Sequence, residues 1–154
     1  MNRQDERPEN FSFYHKGVLF FGLNHVSGKN VVDQEEWEQR DRDNLMWARQ
    51  NLFVYMEARA VVMFTHAIKL PNHLTFFLPF LEEAVRFGKP ILFMHGDGHV
   101  WEYEPLWNGI GASRVLEAKN ILRVQVDQGA RAPPVKVTVG FETTNPFSFD
   151  RRLG

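Results

Sequence analysis

Cysteine is absent from this sequence, so disulfides and thiolate-ligated metals are excluded. That absence fits a reducing compartment, and a cytoplasmic location is the expectation. An excess of either charge is also missing: 18 basic against 19 acidic side chains leave a net charge of -1. No basic field is present to neutralise phosphates, so no nucleic-acid partner is expected. No apolar run approaches the ~20 residues of a membrane-spanning helix, and no membrane association is expected. Residues 1–10 are polar and read as a tail or incoming linker, not as a signal peptide.

What is present suits a packed globular domain. Hydrophobic residues make up 44% of the chain and aromatic residues 14%, with Phe the main contributor, which argues against disorder. Phe11 to Leu23 reads as two strands turning at His15-Lys16-Gly17, and Asn24 to Asn30 as a loop containing Ser27-Gly28-Lys29. Asp33, with Glu36 three residues on, marks a helix start. Trp37, Leu45, Ala48, Leu52 and Tyr55 recur at roughly helical spacing, predicting a helix that ends near Arg59. The charged run from Glu35 to Asp43 is expected to be a solvated face of it. Ala60 to Phe64 is a short apolar strand, and Leu74 to Phe87 a second helix, kinked at Pro79 and stopped by Gly88. Ile91 to Met94 is another strand, and the alternation at Ile121–Val126 and Val135–Val139 predicts two more. The expected organisation is a tail over 1–10, one domain over 11–148 and a tail over 149–154.

A strand–helix–strand unit over 60–94 implies two parallel neighbours in one sheet, and ligands gather outside the carboxyl ends of such strands. His66 and the loop His95-Gly96-Asp97-Gly98-His99 both fall there. Imidazole suits transition metals and carboxylate supplies a harder donor, so His66, Asp97 and His99 are candidate ligands. The plain alternative is that His66 caps a strand and Asp97 makes a turn. His95 reads as a core histidine or a further ligand. Trp101, Tyr103 and Trp107 are either a substrate rim or packing under a loop. His25 and Lys29 lie where they could reach a phosphate, although a simple loop accounts for them.

Val61-Val62-Met63-Phe64-Thr65-His66-Ala67 resembles the strand that delivers a metal-binding His in calcineurin-like metallophosphoesterases. Ile91-Leu92-Phe93-Met94-His95-Gly96-Asp97-Gly98-His99 is similar to the later strand ending in that family's G-H-x-H motif, and most similar to a bacterial branch with Asp in place of the first His. The resemblance covers roughly residues 11–148. It implies an α/β fold with a mixed sheet, the C-terminal half of an α-β-β-α sandwich. It also implies divalent metal (Mn, Fe, Zn or Mg) at His66, Asp97 and His99, and phosphoester hydrolysis with a small phosphoester substrate. The family's D-x-H, G-D-x-x-D and G-N-H-[DE] motifs do not occur in order, and Gly22-Leu23-Asn24-His25 only faintly resembles the last of them. The expectation is therefore little activity from the chain alone. It would serve either as half of a phosphoesterase or as a non-catalytic subunit. A homo-oligomer or partner protein would cover the apolar sheet face and edge left by the missing half.

Overall fold

The computed structural model describes residues 1–26, 33–67, 73–105 and 118–152. The chain folds as a mixed α/β domain. Its strands are β1 (Asn2–Arg3), β2 (Phe11–His15), β3 (Val18–Gly22), β4 (Ala60–Phe64), β5 (Ile91–His95), β6 (Glu102–Glu104), β7 (Ile121–Gln125), β8 (Lys136–Val139) and β9 (Phe147–Asp150). Helix α1 spans Gln34–Val54 and α2 spans Leu74–Phe87. The main sheet has the order β1-β2-β3-β4-β5-β7-β6. Strands β3, β4, β5 and β7 run parallel, with antiparallel β2 and β1 at one side and β6 at the other.

The period of two along each strand divides the core between two faces. Leu19, Phe21, Val61, Met63, Ile91, Phe93 and Ile121 point to the side where Leu45, Ala48 and Leu52 of α1 and Phe76, Phe77, Phe80 and Leu81 of α2 pack. Val18, Ala60, Val62, Leu92, Leu122 and Val124 point to the other side. This alternation explains why the central strands read as unbroken apolar runs: both faces are covered. The second cover is the β8–β9 hairpin, whose Phe147, Val137, Val139 and Phe149 lie on that face.

The open sheet face expected from the half-domain resemblance is therefore closed by the chain itself. Val62 and Leu92 are 2% and 0% exposed. The edge strands β1 and β6 are only two and three residues long, which leaves little ladder to pair with another chain. Exposed large apolar side chains are found on both helices, including Met46 and Phe53 of α1 and Leu74, Leu78 and Val85 of α2.

Other details sharpen or correct the sequence reading. Lys16 and Gly17 both have positive φ, 47° and 85°, as a two-residue type I′ turn between β2 and β3 requires. The Asp33 carboxylate accepts from the Glu36 amide at 2.9 Å and caps α1. The helix ends at Val54, sooner than expected, because Tyr55 leaves helical geometry. Helix α2 continues through Pro79 and stops at Gly88, whose φ is 70°. The first ten residues are no free tail: β1 pairs with β2, and Gln4 and Asn10 are buried. Asn10 donates to Asn44 of α1 at 2.7 Å, which locks this segment to the helix. At the other end, β9 runs past residue 148, so the expected boundary cuts a strand. The Ser27-Gly28-Lys29 loop and Trp107 lie outside the described residues.

Candidate functional site

Strands β4 and β5 end side by side, with Phe64 opposite Met94. The chain beyond them stays in register: Thr65 N–H donates to Met94 O at 3.0 Å and Gly96 N–H to His66 O at 3.3 Å. His66 is thus tied by its backbone to the Gly96–His99 loop. Gln125 at the end of β7 shapes that loop from below. Its Oε1 accepts from Gly98 N–H at 3.1 Å and its Nε2 donates to Val100 O at 2.8 Å. A Cβ on Gly98 would stand 2.4 Å from Gln125 Oε1, so a side chain there would have to displace the Gln125 amide. His99 follows with φ 60°, a conformation His tolerates better than most residues. The outcome is a carboxyl edge carrying exposed His66, half-buried Asp97 and exposed His99. An open groove borders it, running from Glu9 and Phe11 to Thr65 and His66. The three predicted residues share one edge. Among the described residues, however, the trio of ligand atoms within 4.8 Å of one another is a different one.

His95 belongs to the core. It is 2% exposed, and its Nε2 lies 2.9 Å from Nη1 of Arg123. A guanidinium only donates, so this Nε2 is the unprotonated, accepting nitrogen. Burial first, and the Arg123 charge second, push His95 down to about 4; Asp97 opposes and His66 adds to the effect. Arg123 is held in turn by Glu104 at 2.7 Å and by Glu102. Trp101 and Tyr103 pack edge-on against Phe149, with ring centroids 5.8 and 5.9 Å apart, in a packing role.

The trio is His25, Asp41 and His73, all buried. His25 lies just beyond the carboxyl end of β3, Asp41 is on the inner side of α1, and His73 precedes the first residue of α2. Asp41 Oδ1 is 2.8 Å from His73 Nδ1 and 3.4 Å from His25 Nε2. His73 Nε2 faces the Val26 carbonyl at 3.1 Å. Aromatic rings enclose the trio: Trp37 stacks on His73 at 4.8 Å, and Phe76 meets His25 edge-on at 4.3 Å.

The hydrogen-bond chemistry of this cluster does not close by itself. Among the described residues, neither buried ring nitrogen of His25 has a hydrogen-bond partner. The Asp41 contact at 3.4 Å is near enough for Coulomb attraction but poorly placed for a hydrogen bond. Each unpaired buried polar atom costs about 1–3 kcal/mol. Burial pushes the His25 imidazole down, against the pull of Asp41. Burial pushes the Asp41 carboxyl up, but the contacts with His25 and His73 outweigh it and hold the group below its usual range. Two imidazoles and a carboxylate form a donor set that could hold a metal ion.

Sequence reasoning missed this cluster. His25 stood in an ordinary loop, and His73 carried no motif. Asp41 lay in the run expected to be solvated, yet Asp41 and Asp43 are 1% and 9% exposed. The available signal was helical phase: Asp41 stands four residues before Leu45 and so shares its inward stripe. Comparison with known proteins adds no relative: no family model, no curated protein and no solved structure matches the chain.

Proposed function

We propose that this chain is a metallophosphoesterase-like domain, corresponding to the C-terminal half of that fold, with His66, Asp97 and His99 holding divalent metal at the carboxyl edge of the sheet. One observation carries the reading: His66 and the His-Gly-Asp-x-His loop stand on adjacent parallel strand ends, joined through Gly96 N–H to His66 O. The imidazoles favour Mn, Fe or Zn over Mg. A metal bound there would polarise a phosphoryl oxygen and acidify a coordinated water. The chain's own part is positional. Gln125 holds the loop, Gly98 permits the close approach, and the groove toward Phe11 leaves room for a small phosphoester.

Three donors are too few for a two-metal site with a bridging carboxylate, so turnover requires ligands beyond these three. A non-catalytic role as a pseudoenzyme or interaction subunit is the second reading. It is favoured by the β8–β9 hairpin, which closes the second sheet face within this chain. The test is hydrolysis of p-nitrophenyl phosphate and its bis-ester by the purified chain with Mn²⁺. The expected rate equals that of buffer with Mn²⁺. Robust turnover abolished by His99→Ala would show that the chain needs no completion.

A further inference from the structure

The geometry points to a second metal site, unrelated to the carboxyl-edge reading: His25, Asp41 and His73 bind one divalent transition-metal ion of the zinc class inside the fold. Three observations support it independently of any motif. First, the donor atoms lie within 4.8 Å of one another, close enough that small side-chain shifts bring them to the roughly 3.3–3.6 Å separations of ligands about 2.0–2.2 Å from a shared tetrahedral zinc ion. Second, among the described residues neither nitrogen of the His25 ring, which is 1% exposed, has a hydrogen-bond partner. A buried imidazole 3.4 Å from a carboxylate oxygen offers a nitrogen lone pair and a neighbouring anionic donor to a shared cation. Third, His73 faces acceptors at both nitrogens, Asp41 Oδ1 at 2.8 Å and Val26 O at 3.1 Å. Without a metal, only a doubly protonated ring satisfies both. With a metal at Nδ1, the Nε2–H donates to the Val26 carbonyl, the backbone contact that fixes the tautomer of many metal-bound histidines.

The donors also select the ion. Imidazole nitrogens disfavour Mg²⁺ and Ca²⁺, and the absence of cysteine removes the soft-metal alternatives. The site would act as a clasp. It joins the end of β3, the inner face of α1 and the first turn of α2, three segments far apart in sequence. It also reaches the carboxyl edge, because Ala67 N–H, next to His66, donates to the His25 carbonyl at 3.1 Å.

The experiment uses the full chain stripped with a chelator and titrated with Zn²⁺ against a chromophoric competitor, then with Co²⁺ for its visible absorption. To separate the two sites, the same titration is run on the triple variant His66→Ala, Asp97→Asn, His99→Ala. One tight zinc per chain should persist in that variant. It should weaken by at least about 100-fold in Asp41→Asn and in His25→Phe, the latter replacing a ring already packed against Phe76 and Phe77 by an apolar one. Failure of the triple variant to bind zinc, or wild-type affinity in a folded His25→Phe, overturns the proposal. Should both cluster variants fail to fold, ¹⁵N spectra of the histidine rings decide on the wild-type chain. Zinc-dependent shifts of His25 and His73 nitrogens support the site, and unchanged signals overturn it.

Discussion

Acidification should destabilise this fold through His95. In the unfolded chain this imidazole takes up a proton near 6.5; in the folded chain it does so only at about 4. Between those values the unfolded state binds more protons, so stability is full above about pH 6.5 and falls as pH drops toward 4. At about 1.4 kcal/mol per pKa unit, the shift sets a ceiling of roughly 3 kcal/mol. Water reaching the Arg123 guanidinium, which is 14% exposed, screens the pair and reduces the expected loss to about 2 kcal/mol. The assay is urea unfolding at several pH values between 7 and 4, in EDTA to exclude any contribution from metal ions. His95→Gln is the comparison, since its amide oxygen can still accept from Arg123 but does not titrate. The variant should lose about 2 kcal/mol less than the native chain over that range. Parallel pH profiles for the two proteins, or an NMR titration placing His95 near 6.5, would refute the argument.

Three further outcomes follow from local geometry. Gln125→Ala removes the acceptor of Gly98 N–H and the donor to Val100 O; it should cost about 1–2 kcal/mol and speed hydrogen exchange at Gly98. Gly22→Ala places a Cβ 2.2 Å from Cε1 of Phe11 and should cost about 1–3 kcal/mol, a penalty that shrinks in a Phe11→Ala background. Asp33→Ala removes the cap of α1 and should lower stability by about 1 kcal/mol, seen as a lower melting temperature.

The backbone plan was legible where local signals agreed with tertiary demand. The Asp33 cap, the Lys16-Gly17 turn, the Gly88 stop and the apolar runs at 18–21, 61–64 and 91–94 all mark elements that the structure contains. The placement of His66, Asp97 and His99 on one edge followed from parallel strand ends, which a strand–helix–strand pattern dictates. Burial of charge was not legible. Arg7 donates to Glu36 and Asp43, each at 2.9 Å, from a segment that reads as a tail. That pairing allows the acidic start of α1 to turn inward. The closure of the second sheet face was hidden for a similar reason. The alternation at Val135–Val139 marks one strand, but no pattern marks Phe147–Asp150 as its partner, and only packing shows that Val137, Val139, Phe147 and Phe149 serve as its lid. The His25–Asp41–His73 cluster combines three segments with no shared spacing, so only the fold brings it together.

Calorimetric titration of inorganic phosphate into the Mn²⁺-loaded chain, beside the His66→Ala/His99→Ala variant, tests the carboxyl-edge site most directly. The account predicts that phosphate binds the native chain only when Mn²⁺ is present and fails to bind the variant. Phosphate binding that ignores Mn²⁺, that survives intact in the variant, or that is absent from the native chain altogether would contradict it.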